Sequence, residues 1–219
     1  MGVRHGAVAR PRDEADPRHL GGGRLGTGHR RPGCQPRATG RLSEATPGRV
    51  VTAKQRLAEL GLTLPAVAAP VAAYVPAVQT GPLVYTSGQL PLVDGALPRT
   101  GKVGGEVSAQ DAAVDARQCA LNALAAIDAL VGLDAITRIV KVVGFVASAP
   151  GFTGQPGVIN GASELLGEVF GDAGVHARSA VGVAELPLGA PVEVEVIAEI
   201  GAAGPTIRLA GPGQPGVRA

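Results

Sequence analysis

Residues Ile136 to Ser148 are rich in β-branched side chains and apolar at both odd and even positions. Successive side chains of a strand point to opposite faces, so such a run reads as a central strand covered on both sides. A chain that contains one needs a layer on each face of its sheet. Two segments supply helices for one of those layers. Ser108-Ala109-Gln110-Asp111 is an S-x-x-D helix start. After it, Ala113, Ala116, Ala120, Ala123, Leu124, Ile127 and Leu130 recur at helical spacing, and Gly132 ends the helix. Pro156 suits the first turn of a second helix, which is expected to end near Phe170-Gly171.

The remaining elements are short strands. Tyr74 to Gln79 and Leu83 to Ser87 flank the turn signal Thr80-Gly81-Pro82 and predict a hairpin. Asp94-Gly95 marks another turn. Two closing strands, Ala177 to Ala184 and Val192 to Ile200, are separated by Leu186 to Pro191, whose prolines bar a strand there. The order β-β-(β)-α-β-α-β-β predicts an α+β domain of two layers: a mostly antiparallel mixed sheet with two helices on one face. In the last strand Val192, Val194, Val196 and Ala198 fall on one side, and Glu193, Glu195, Ile197 and Glu199 on the other. The helices cover the first side. The second remains open, and homo-oligomerisation is the expected cover.

Composition sets the boundaries. Residues 1–50 hold ten Gly, five Pro and ten Arg against four acids, a formal +6, with three Leu and no Ile, Phe, Tyr or Trp. Such a segment buries too little apolar surface to offset the entropy of ordering, so it is expected to stay disordered. Residues 51–200 carry eight Lys/Arg against fourteen Asp/Glu, a formal −6, and form the expected domain; residues 201–219 return to Gly/Pro-rich sequence and read as a flexible tail. The capping box Thr52-Ala53-Lys54-Gln55 opens a helix that is expected to stop at Gly61. This abrupt onset fits a gene start placed upstream of a GTG codon read as Val, in which case residues 1–49 are not part of the working protein. A translated flexible arm is the alternative. No run of eighteen apolar residues predicts a membrane span, and Arg30-Arg31 has no apolar stretch after it to make a secretory signal. Cys34 and Cys119 imply no disulfide framework, so a reducing cytoplasm is expected; Cys119 reads as a core residue. No Cys/His spacing resembles a zinc site, and no metal or other cofactor is read from the chain.

Leu83-Val84-Tyr85-Thr86-Ser87-Gly88-Gln89-Leu90-Pro91 resembles the first signature of the Rid family (YjgF, reactive intermediate deaminase; older name, endoribonuclease L-PSP). Ala177-Arg178-Ser179-Ala180-Val181, Leu186-Pro187 and Val192-Glu193-Val194-Glu195-Val196-Ile197-Ala198 are similar to its C-terminal signature. The resemblance covers roughly residues 65–200. It implies a chorismate-mutase-like fold, a homotrimer and clefts between subunits. It also implies that Arg178 clamps the carboxylate of a small 2-imino acid and that Glu193 orients or activates water. Ser87 and Gly88 would line the cleft, Tyr74 would sit over the substrate, and Asn160 matches a further site position. Three departures mark a divergent subgroup. Ala72-Ala73 precede Tyr74, Ala180 stands where many members have Cys, and Val175-His176-Ala177 replaces a common proline. His176 itself is expected to be an exposed loop residue.

The implied activity is hydrolysis of 2-imino or enamine acids to 2-oxo acids and ammonia. A trimeric module that binds small carboxylates, or acts like a chaperone, without turnover is the alternative. Ribonuclease activity fits less well. Phosphate-backbone binding needs a basic stripe, whereas residues 51–200 are formally −6. Neither a membrane nor a specific nucleic acid is an expected partner.

Overall fold

The computed structural model describes residues 50–67, 74–201 and 207–208. The expectations for the arm and for most of the tail fall on residues 1–49 and 202–219, largely outside those described. Among the described residues the order is β1 (Val50–Val51), α1 (Ala53–Glu59), β2 (Ala77–Thr80), β3 (Leu83–Thr86), α2 (Ala109–Val131), β4 (Ile136–Ala147), α3 (Gln155–Phe170), β5 (Ala177–Val183), β6 (Val192–Ile200) and β7 (Ile207–Arg208). One five-stranded sheet runs in the order β2-β3-β6-β4-β5. Only β4 and β5 pair in parallel, joined by α3; the other pairs are antiparallel. This is the expected two-layer α+β fold. The chain segment between β3 and α2 contributes isolated bridges and no further strand to that sheet.

Local chemistry sets the helix ends. Thr52 Oγ1 accepts from the Gln55 N–H at 3.2 Å while Gln55 Oε1 accepts from the Thr52 N–H at 3.0 Å, the reciprocal capping box that starts α1. Ser108 Oγ accepts from the Asp111 N–H at 3.0 Å and starts α2. Gly132, with φ of 85°, ends α2 in a conformation that side chains resist. Helix α1 is tied to the rest of the chain by Lys54–Asp128 at 2.9 Å and by Arg56 Nε donating to the Glu168 carbonyl at 2.9 Å. The strands β1 and β7 pair with each other, so the chain pairs beyond the expected limits of 51 and 200.

Helices α2 and α3 share one face of the sheet. They approach closely because α2 is lined with small residues, and because Gly161 of α3 lies where a Cβ would overlap the Ala113 carbonyl. Ala112, Ala116, Cys119, Ala120, Ala123, Leu124 and Ile127 of α2 are buried, whereas Leu130, placed on the apolar stripe by its spacing, is 45 % exposed. Val192, Val194, Val196 and Ala198 of β6 are fully buried under these helices.

The two-sided apolar character of β4 has a partly different origin from the one expected. Ile136, Ile139 and Val142 are all fully buried although they are three residues apart. Register shifts between Ile136 and Arg138, and between Ile139 and Lys141, turn successive apolar residues back to the helix side. On the opposite side Val143 and Phe145 of β4 and Ile197 of β6 are half-buried, and Val78, Tyr85 and Val181 are exposed. Among the described residues no helix covers this second face.

Candidate functional site

Arg178 lies on β5 opposite Val142, whose own partner on β6 is Val196. Since Val142 and Val196 are buried under the helices, Arg178 projects on the helix side of the sheet, at its edge. There Nη1 donates to Asn160 Oδ1 at 2.8 Å and to Ser163 Oγ at 3.1 Å, both on α3. An Nη nitrogen has two hydrogens, so these bonds use both. The edge formed by Nε–H and Nη2–H has no acceptor among the described residues. That edge donates two parallel hydrogen bonds, the geometry that matches a carboxylate. Among the described residues Arg178 also makes no ion pair, so its charge is not spent on a protein carboxylate.

Ser163 is half-buried and is itself held. His176 Nε2 lies 3.0 Å from Ser163 Oγ, and His176 Nδ1 lies 2.6 Å from the Gly174 carbonyl oxygen. His176 is therefore half-buried and bonded on both nitrogens, not the exposed loop residue expected. Burial pushes its pKa below the ordinary range, and the Arg178 cation adds to that; the Gly174 carbonyl opposes both. Neither Ser163 nor the role of His176 was legible in the sequence. The i, i+3 spacing of Asn160 and Ser163 on α3 places both on one side of the helix, the one signal that could have pointed to Ser163. Asn160 spends its carbonyl oxygen on Arg178, not on a backbone group of its own helix start.

Glu193 belongs to the other side. It pairs with Phe145, and its strand neighbours Val192 and Val194 point to the helices, so Glu193 projects from the opposite sheet face. Its carboxylate sits directly over Gly88, where a Cβ would overlap it, so any side chain at position 88 would displace the carboxylate. Gln89 and Val194 exchange both backbone hydrogen bonds, at 2.9 and 3.0 Å, and fix that contact. Glu193 is half-buried and has no hydrogen bond or ion pair with another described residue. Burial first, then the neighbouring Glu195, raises its pKa above the ordinary carboxylate value. Ser87 Oγ donates to the Val75 carbonyl at 2.7 Å, which ties the residue after Tyr74 to the loop that carries Gly88. Tyr74 is 49 % exposed.

The expected site residues therefore form two groups. Arg178 and Asn160 meet on the helix side of the edge strand. Glu193 and Gly88 meet on the open face, with Ser87 and the Tyr74 segment beside them. Strand β4 separates the two groups, and they face opposite ways, so one chain cannot bring Arg178 and Glu193 to one small molecule. Cys119 is fully buried, and burial raises its thiol pKa well above the ordinary value, which makes it a core residue and not a nucleophile. Among the described residues no cluster of His, Cys, Asp and Glu could hold a metal, and no helix is long and apolar enough to cross a membrane.

The endoribonuclease L-PSP family model matches residues 65–200. The chain belongs to this family, also known as YjgF or Rid. Protein TCP17 of Trypanosoma cruzi is 45 % identical over 161 residues, which are 73 % of this chain and 99 % of TCP17. The crystal structure of Atu1372 from Agrobacterium tumefaciens, a protein of unknown function, is 47 % identical with a TM-score of 0.63 and covers 68 % of this chain and 92 % of its own. A Shewanella oneidensis MR-1 structure, provisionally labelled an endoribonuclease, is 33 % identical with a TM-score of 0.66 and covers 68 % of this chain and all of its own. The two runs that carry the resemblance both fall within the matched residues: the first holds Ser87 and Gly88 on the open face, and the second spans both groups, with Arg178 on the helix side and Glu193 on the open face.

Proposed function

We propose that this Rid-family chain hydrolyses small 2-imino or enamine acids to 2-oxo acids and ammonia, in clefts between the subunits of a homotrimer. The observation that carries the reading is the open Nε–Nη2 edge of Arg178, an unspent fork at the sheet edge with Nη1 anchored to α3. A 2-imino acid presents a carboxylate beside an electrophilic C=N carbon. Arg178 holds the carboxylate and so fixes where that carbon lies. Glu193 from a second copy takes a proton from water as its oxygen adds to the carbon. It then returns the proton to the nitrogen; in the second step it carries the carbinolamine hydroxyl proton to the amine as the C–N bond breaks, so that ammonia leaves and the C=O of the 2-oxo acid forms. A carboxylate whose pKa is raised by burial is a better base for that step than an exposed one. Two copies are needed because one chain holds the pair on opposite faces.

The test is release of 2-oxo acid and ammonia from freshly generated imino acids, with Arg178→Ala as control. Equal rates for wild type and Arg178→Ala would remove Arg178 from the site. Wild type that binds 2-oxo acids through Arg178 without accelerating hydrolysis would make this a carboxylate-binding module.

A further inference from the structure

The Arg178 anchor is a chain of bonds whose direction follows once the His176 ring is neutral. At its far end the Gly174 carbonyl can only accept, so the His176 Nδ1 at 2.6 Å must carry a hydrogen and donate it. In the neutral ring Nε2 is then an acceptor, and the atom 3.0 Å from it is Ser163 Oγ. The Ser163 hydroxyl hydrogen therefore goes to His176, which turns the Ser163 lone pairs toward the Arg178 Nη1–H at 3.1 Å. Asn160 Oδ1 accepts the other Nη1 hydrogen at 2.8 Å. Two acceptors on one nitrogen define the guanidinium plane.

We propose that Ser163 and His176 are positioning residues for Arg178, and that this directed hydrogen-bond chain locks the guanidinium plane so that its Nε–Nη2 edge is left for a ligand carboxylate. The contacts stand on the geometry, the direction of the chain adds a neutral His176 ring, and its consequence for ligand capture rests on the reading of Arg178 given above. The ring must stay neutral for the chain to keep its direction. A protonated His176 would donate to Ser163 from Nε2 and leave the Ser163 hydroxyl hydrogen without its acceptor. Burial and the Arg178 cation both favour the neutral ring. Arg138 of β4 and Glu199 of β6 line a cavity with His176 and are of opposite sign.

The experiment uses the full chain and pyruvate as probe. Nitrogen-15 NMR of the His176 ring in unliganded protein is expected to show the neutral Nδ1–H tautomer at pH 7. The titration midpoint should lie below the ordinary 6.5 and rise in Arg178→Ala. Ser163→Ala, which removes one charge-assisted bond, is expected to weaken pyruvate binding roughly tenfold, and His176→Phe, which keeps that bond but frees the Ser163 hydroxyl to rotate, by a smaller factor of about threefold or more. Each should raise KM for imino acids by the factor it shows for pyruvate while kcat stays within about threefold. Ser163→Thr keeps the hydroxyl and should restore wild-type binding, which separates the chain from a packing effect. An Nε2–H tautomer, or a midpoint at or above 6.5, overturns the chain. Ser163→Ala that binds pyruvate as tightly as wild type overturns its positioning role. Wild type that binds no pyruvate overturns the clamp reading instead, while the His176 spectrum still judges the chain.

Discussion

Arg178 matters through its shape as much as its charge. Both hydrogens of one nitrogen go to Asn160 and Ser163, and the free edge offers two parallel donors. Lysine carries the charge on a rotating ammonium and cannot serve both purposes. Arg178→Lys is expected to weaken 2-oxo acid binding by about 10–100-fold, since a charged hydrogen bond contributes roughly 1.5–3 kcal/mol. Isothermal titration with pyruvate measures it, and binding within threefold of wild type would contradict the fork. Glu193 has the opposite character: it is half-buried, without a polar partner among the described residues, beside Glu195, and its pKa is raised. A raised carboxylate pKa favours the folded state below the unfolded value of about 4.5. That contribution is lost as pH rises through the folded pKa. Glu193→Gln should therefore raise the melting temperature at pH 7 relative to wild type, with the gain vanishing near pH 4. The same variant should retain 2-oxo acid binding and lose about 10²–10⁴-fold in turnover. Thermal melts at the two pH values that showed no difference would mean that Glu193 is solvated.

Helix α3 connects packing to the site. It carries Asn160 and Ser163 toward β5 and buries Val158, Ile159, Ala162, Leu165, Leu166, Val169 and Phe170 against the core. Between the two site residues and α2 stands Gly161, against the Ala113 backbone carbonyl. A backbone atom cannot swing aside as a side chain can, so any Cβ there must push the two helices apart. Gly161→Ala is expected to cost about 1–3 kcal/mol of stability. Because α3 moves, it should also weaken pyruvate binding. Urea denaturation and titration of the same variant test both, and an unchanged midpoint would show that the helices yield freely. Gly144 on β4 has a similar role beneath Ile159, where a Cβ would overlap that side chain.

At the scale of the molecule, the proposed trimer would cover the sheet face that the described helices leave open. Val78, Tyr85 and Val181 are 51 %, 36 % and 45 % exposed, and half-buried Val143, Phe145 and Ile197 lie between them. Contiguous apolar surface of this kind is uncommon on monomers, and closed cyclic symmetry lets each copy cover the next. Light scattering at micromolar concentration is expected to report three times the chain mass. A charge on the face, Val181→Asp, should shift that mass toward the monomer and abolish imino-acid hydrolysis, because Arg178 and Glu193 of one chain face apart. Activity in a monomeric variant would reject the shared site.

Much of this was written locally. Helix starts at Thr52 and Ser108, the stop at Gly132, the bounds of β6 and its alternation are all readable because caps and periods act between residues a few positions apart. The family signatures were legible for the same reason, as runs of neighbouring residues. Register was not. Whether Arg178 and Glu193 share a face depends on which residues of β4 stand opposite them, and two register shifts in β4 break its simple alternation. Those pairings join residues more than thirty positions apart, and no local propensity encodes them. The bond from His176 through Ser163 to Arg178 is of the same kind: three polar residues on two elements and a loop meet only after α3 docks on β5. The sequence by itself determined which residues carry the charge and the hydrogen bonds. Only tertiary packing decided that the guanidinium and the carboxylate face apart, because a side chain's face is set by its strand's partners.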